Sequence, residues 1–139
     1  MVIPNNLVPY IARMAIGRLD RLQVYSDDYD TADGTGVRDY IHVTDLAEGH
    51  LAAINHLHQH KGVEALNLGT GQGLSVLQMI AAIDAASGKA LPYVIAPRRA
   101  GDIDKFWANP ERAHVLLGWQ ARLGVDAMCQ SVWNGQSQN

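Results

Sequence analysis

Cysteine is nearly absent. The 139 residues contain one, Cys129, so no intrachain disulfide can close, and a disulfide-stapled secreted scaffold is excluded. Aromatic residues are also scarce, at 6%, with a single phenylalanine. Every apolar stretch is interrupted by Gly, Arg, Asp or His well short of the about 20 residues that cross a bilayer, so no membrane partner is expected. Long charge runs are missing too. Eleven basic residues against fourteen acidic ones give a net charge of -3 without a basic stripe, and the sequence points to no nucleic acid. The leading Met-Val-Ile-Pro-Asn-Asn has neither the basic nor the apolar region of a secretion signal, which makes a reducing cytoplasm the expected location. No Gly-x-Ser-x-Gly elbow occurs, and Cys129 lies in an amphipathic stretch without a neighbouring base, so it reads as core.

What is present is enough apolar material for one domain, 47% of the residues, with helical and strand signals alternating. Leu7, Ile11, Met14 and Ala15 predict a helix over 7–16, with Asn6 as N-cap and Gly17 as C-cap. Leu22 to Tyr25 predicts a short strand, and the polar segment from Ser26 to Gly36 a loop. Val37 to Val43 alternates as a strand does. Thr44 and Asp45 then open a helix that carries Leu46, Leu51, Ile54 and Leu57 on one side and ends before Gly62. Ala65 to Leu68 predicts a strand and Gly69 to Gly73 a turn. Ser75 with Gln78 forms a capping box ahead of Val76, Met79, Ile80 and Ile83. A strand runs through Tyr93 to Ala96, Asn109-Pro110-Glu111 starts a helix that Gly118 ends, and a last helix covers about Val125 to Trp133 before a frayed polar tail. The class is α/β, and the few short strands make a sheet too small to be covered on both faces. The architecture therefore reads as partial.

Three clusters are candidate sites. Gly69-Thr70-Gly71-Gln72-Gly73 sits where a phosphate loop would, yet the dinucleotide fingerprint needs its third glycine where Leu74 stands, and a tight strand-to-helix turn is favoured. Arg98-Arg99-Ala100-Gly101-Asp102 suits a pyrophosphate and a ribose as well as it suits a solvated basic turn. Arg38 beside Asp39 fits a structural ion pair or a phosphate ligand. His56 and His60 share a helix face, but without a Cys or carboxylate to complete the set a metal site is disfavoured. His42 reads as a hydrogen-bonded packing residue in a strand.

Taken together, Pro4-Asn5-Asn6-Leu7-Val8-Pro9-Tyr10-Ile11, Asp33-Gly34-Thr35-Gly36-Val37-Arg38-Asp39-Tyr40-Ile41-His42-Val43 with Asp45-Leu46-Ala47, Asn67-Leu68-Gly69-Thr70-Gly71, and Pro97-Arg98-Arg99-Ala100-Gly101-Asp102 resemble the second half of the extended short-chain dehydrogenases, most closely the UDP-glucose 4-epimerases. The resemblance runs from Pro4 to about Trp133. It implies that residues 1–139 are the smaller, C-terminal nucleotide-sugar-binding domain, with the NAD-binding Rossmann domain absent. It also implies substrate contacts. Asn6 and Leu7 would meet UDP, and Gln23, Val24 and Tyr25 would border the uracil. Arg38 and Arg99 would hold the diphosphate, with Ala100 and Gly101 in the same turn and Asp102 on the ribose. Phe106 would lie at the hexose end, where bacterial epimerases often have Tyr.

The chemistry implied for the whole enzyme interconverts UDP-galactose and UDP-glucose by hydride transfer to and from NAD, usually in a homodimer. It needs a Tyr-x-x-x-Lys pair, and no tyrosine here has Lys four residues on: the positions hold Met14, Tyr29, Asp33, Thr44 and Pro97. The match also opens mid-segment at Met1-Val2-Ile3, as a truncated frame or excised domain would. The expectation is thus a UDP-sugar-binding portion, inactive by itself, with no catalytic, metal or NAD-binding residues of its own. A stand-alone binding module, a relic, or the same domain of a related epimerase, dehydratase or decarboxylase are the alternatives.

Overall fold

In the computed structural model, which describes residues 6–15, 17 and 20–137, the local signals become five helices and five short strands. Helix α1 (Leu7–Ala15) begins where the Tyr10 N–H donates to the Asn6 carbonyl and ends at Gly17, whose N–H donates to Met14. Strand β1 (Leu22–Tyr25) buries Leu22 and Val24 on alternate positions, as a period of two requires. Strand β2 (Val37–Arg38) is far shorter than the alternation predicts. The Asp39 N–H still donates to the Phe106 carbonyl at 3.2 Å while its carboxylate holds a distant turn, and His42 caps helix α2 (Val43–Leu57), its Nδ1 accepting from the Thr44 N–H at 3.1 Å. The helix therefore opens before Thr44, and His42 is a cap instead of a strand residue.

Ala65 to Leu68 forms no strand. It is tied to the region around α4 by side-chain bonds instead: the Asn67 amide donates to the Asn109 carbonyl, and Arg112 donates to the Ala65 carbonyl. Strand β3 (Leu74–Ser75) leads into α3 (Val76–Ser87), where the capping box is present in both directions. Strand β4 (Tyr93–Ala96) and strand β5 (Lys105–Phe106) follow. Helix α4 (Glu111–Leu117) starts with Asn109 Oδ1 accepting from the Glu111 N–H, and closes at Gly118 with φ +62°. Helix α5 (Val125–Ser137) continues past Trp133 through Gly135, where the composition had suggested fraying.

β1 pairs in parallel with β4, Leu22 opposite Tyr93 and Tyr25 opposite Ala96, while β2 lies between β5, also parallel, and antiparallel β3. Each parallel pair joins distant parts of the chain through intervening helix, the α/β pattern. The core lies among α1, α3, α5 and β1, with Ile11, Val24, Met79, Ile83 and Cys129 at its centre. Cys129 is thus a core residue: its Sγ lies 3.8 Å from Met79 Sδ, and burial, assisted by Asp126, pushes its thiol up to about 11. A second packing group joins α2 to α4, where Trp119 donates through Nε1 to the Asp45 carbonyl, and the buried Asp45 carboxylate accepts from the Arg122 and Leu123 N–H groups. Among the described residues no helix is long and apolar enough to cross a membrane.

The loop between β1 and β2 folds tightly on itself. Gly34 has φ +77°, and a Cβ built there would lie 1.9 Å from the Asp27 carbonyl oxygen. Gly34→Ala should therefore lower stability by more than about 2 kcal/mol, read as a shifted urea midpoint, since both the backbone conformation and the space exclude a side chain. An unchanged midpoint would mean that the loop can relax.

Candidate nucleotide-binding cleft

An open cavity of about 760 Å³ is bounded by the start of α1, by β1, by β2 and by the turn after β4. Its size is that of a small-ligand site. Asn6, Leu7, Gln23, Tyr25, Arg38, Arg99 and Asp102 all line it, although they come from four separate segments. Val24 is 1% exposed, with its side chain in the core, so only its main chain can border the space. Ala100, Gly101 and Phe106 do not line the cavity, and Phe106 stands exposed on β5. Tyr29 and Tyr40, which spacing did not single out, do line it.

The two cleft arginines are fixed differently. Arg38 donates through Nη1 to the Val37 carbonyl at 2.8 Å and through Nη2 to the Ile103 carbonyl at 2.8 Å. Neutral carbonyls orient this guanidinium without cancelling its charge, so Arg38 and Asp39 are not an ion pair. Arg99 lies over the Tyr25 ring, 4.3 Å from its centroid, and donates from Nε to Asp102 Oδ2 at 3.0 Å. That uses one of its five donors. Arg98, its neighbour, turns elsewhere: it donates from Nε to Asp28 Oδ1 at 2.7 Å and stacks over Tyr29. The hydrogen bond from Ser26, and then that from Arg98, hold the Asp28 carboxyl below its ordinary range. The basic turn is thus split: Arg98 pairs with Asp28 outside the cleft lining, and Arg99 pairs with Asp102 within it. Burial pushes the Tyr40 phenol up to about 12 against the pull of Arg38, so Tyr40 stays a neutral donor there.

With two guanidiniums and one carboxylate, the lining favours an anion. Arginine forks suit phosphate oxygens, and the Tyr25 ring suits a planar base.

The glycine-rich turn is filled from within. Asp39 accepts from the Thr70 N–H at 3.1 Å, the Thr70 hydroxyl, the Gly71 N–H at 3.2 Å and the Ala108 N–H at 3.3 Å. A Cβ on Gly69 would fall 2.5 Å from Asp39 Oδ2. The anion in this nest is the chain's own carboxylate, and a dinucleotide pyrophosphate does not fit it. Spacing showed the turn; only the fold shows its occupant.

A second internal carboxylate anchors the cleft's loop. Asp33 accepts from the Ser75 hydroxyl and from the Thr35 N–H and hydroxyl, at 2.9 Å and 2.7 Å for the latter two. Burial alone would raise its pKa, but these hydrogen bonds together outweigh it and set the value below the ordinary 3.8. A lowered folded-state value stabilises the fold above the unfolded pKa, and the contribution is lost as pH falls through the folded one. Urea midpoints should therefore drop from about pH 4 downward, and Asp33→Asn should flatten that part of the slope. An identical slope in the variant would exclude Asp33 as the group responsible.

His56 and His60 stack with centroids 4.0 Å apart, and His56 Nε2 lies 3.8 Å from Glu64, a carboxylate that spacing had not placed beside it. Among the described residues no three potential ligands gather around a metal.

The sequence profile of the family described as GDP-mannose 4,6 dehydratase matches residues 1–132. Relatives named UDP-glucose 4-epimerase from Pongo abelii and Erwinia amylovora are each 56% identical over 137 residues, covering 99% of this chain and 39% and 41% of theirs. The crystal structure of UDP-glucose 4-epimerase from Bifidobacterium longum in complex with NAD+ and UDP superposes with a TM-score of 0.96 at 54% identity, over 99% of this chain and 41% of that one. The chain spans about two fifths of the length of the curated relatives it matches.

Proposed function

Since the chain belongs to the family described as GDP-mannose 4,6 dehydratase, we propose that it is the C-terminal, UDP-sugar-gripping portion of a UDP-glucose 4-epimerase. The observation that carries this reading is the convergence of Arg38, Arg99, Asp102 and Tyr25, from three segments, on one cleft. Arg38 and Arg99 hold the diphosphate, Asp102 takes a ribose hydroxyl, and Tyr25 packs on the uracil. Asn6 and Leu7 close one end. Gln23 and the main chain of Val24 border the base, Ala100 and Gly101 shape the turn that presents Arg99, and Phe106 reaches the hexose end only once more of the site is assembled around β5.

An epimerising enzyme must keep its nucleotide while the sugar reorients, so binding energy belongs on the non-reacting UDP, and this chain supplies that grip. The glycine-rich turn does not fit NAD, because Asp39 fills it. In this reading the redox chemistry is assigned to polypeptide outside the matched region.

Calorimetric titration of the purified chain tests the reading. UDP should bind and uridine should bind at least about tenfold more weakly, the diphosphate carrying the difference. Incubation with UDP-galactose and NAD should yield no UDP-glucose. Equal affinity for uridine and UDP would refute the assigned role of the arginines, and turnover above background would refute the division of labour.

A further inference from the structure

The stretch from Arg99 to Asp104 carries two charged groups of the cleft and the anchors of a third. The Asp102 N–H donates to the Arg99 carbonyl at 3.3 Å, which closes a four-residue turn. Gly101, the third residue of that turn, has φ +85°, whereas Ala100 before it has no positive φ. This combination makes a type II turn, whose third position takes glycine and, next best, asparagine. Arg99 and Asp102 are the first and last residues of the turn, and their side chains meet across it, Nε to Oδ2, at 3.0 Å.

Just beyond the turn, the same stretch takes hold of the other cleft arginine. The Ile103 carbonyl accepts from Arg38 Nη2 at 2.8 Å. The Asp104 carbonyl accepts from the Val37 N–H at 2.8 Å and from Arg38 Nη1 at 3.5 Å. Arg38 is therefore oriented by the two carbonyls that follow the turn presenting Arg99. Pairing of Val37 and Arg38 with Lys105 and Phe106 fixes the far end of the stretch, and the near end is fixed where the Ser26 N–H donates to the Ala96 carbonyl at 2.8 Å. Between these anchors Ala100 and Gly101 are exposed, and a Cβ on Gly101 would meet no atom within 4 Å. Space excludes no side chain there; only the backbone conformation calls for glycine.

We propose that Gly101 is a positioning residue of the cleft, whose turn aligns the two guanidiniums with each other for a ligand bearing two phosphate groups in tandem. Gly101 lies outside the cleft lining, so it acts through Arg99 and Asp102 and, by way of the Ile103 and Asp104 carbonyls, through Arg38. The inference rests on the proposed function and adds to it a reason for preferring a diphosphate to a monophosphate. A ligand that engages one guanidinium tolerates misalignment of the pair, and a ligand that spans both loses the benefit of a site already in place. A left-handed backbone disfavours L-alanine by about five- to thirtyfold. Because the turn is exposed and closed by one backbone hydrogen bond, Gly101→Ala shifts it to other conformations and lowers the population of the competent one.

Calorimetric titration with UDP and with UMP tests this. Gly101→Ala should lower UDP affinity at least about fivefold and UMP affinity by less than about twofold, with the urea midpoint close to that of the wild type. Gly101→Asn, which accepts positive φ more readily, should recover most of the UDP affinity. The ligand-free chain offers a second readout. The guanidinium N–H signals of Arg38, identified by their absence from the NMR spectrum of Arg38→Lys, should exchange with solvent at least about fivefold faster in Gly101→Ala than in the wild type.

Equal losses of UDP and UMP affinity would overturn the proposal, because the substitution would then loosen the site without regard to alignment. So would an unchanged UDP affinity, a Gly101→Asn variant no better than Gly101→Ala, or Arg38 exchange as slow in Gly101→Ala as in the wild type. A wild-type chain that binds no UDP would instead refute the proposed function. The Arg38 exchange needs no ligand, so the two failures are distinguishable.

Discussion

Arg99→Ala should weaken UDP binding by about ten- to a hundredfold, the equivalent of losing one charge-assisted contact worth about 1.5–3 kcal/mol. Arg98→Ala, one residue away, should leave affinity within about twofold. The contrast follows from where the two guanidiniums go. Arg98 is tied to Asp28 and to the face of Tyr29, whereas Arg99 lines the cleft over Tyr25 with one bond to Asp102. Arg99→Lys should recover only part of the loss, since an ammonium neither stacks on Tyr25 nor offers a fork to phosphate. Calorimetry at fixed ionic strength reads all three variants. Equal losses at positions 98 and 99 would mean that the turn acts as a diffuse positive charge, and the residue-level assignment would fall.

Asp39→Ala should cost about 3 kcal/mol of folding stability, because it strands several backbone donors at once. The Thr70, Gly71 and Ala108 N–H groups all point at this carboxylate, together with the Thr70 hydroxyl. The substitution also converts a filled nest into an empty one. Added formate, a free carboxylate of matching chemistry, should raise the denaturation midpoint of Asp39→Ala while leaving the wild-type chain unmoved. A midpoint as insensitive to formate as that of the wild type would show that the turn reorganises and that the donors find other partners.

Legibility in the sequence followed the range of the interactions involved. The capping box at Ser75 and Gln78, the alternation of β1 and the glycine that ends α4 depend on residues a few positions apart, and all were readable. The strand predicted over Val37 to Val43 was cut short by Asp39 and His42, one bonding to a turn thirty residues on and the other turning back to cap a helix. Periodicity cannot register such bonds. Ala65 to Leu68 has the composition of a strand but pairs with no strand among the described residues, and composition says nothing of edges. In α2 the pattern located an apolar side correctly, yet the side it found is the bare one; the covered side is built from Asp45, Gly49 and Trp119, which no apolar pattern would select.

The cleft was legible for a different reason. Spacing left Arg98 and Arg99 indistinguishable, because Asp28, which neutralises the first, lies seventy residues away. The resemblance separated them, and the structure supplies the physical basis for the separation. Tyr29 and Tyr40 escaped notice because nothing local marks a tyrosine as lining a cleft instead of a core.

The parallel pairing of Leu22–Tyr25 with Tyr93–Ala96 also bears on how the cleft comes into being. Tyr25 and Arg99 are neighbours across a stretch of chain that holds two helices, a non-local contact of the kind that slows folding. The cleft therefore depends on long-range pairing and not on any one local element. On the function proposed above, a nucleotide spanning both walls would act as a clasp on that contact, linking its binding to unfolding of the whole molecule.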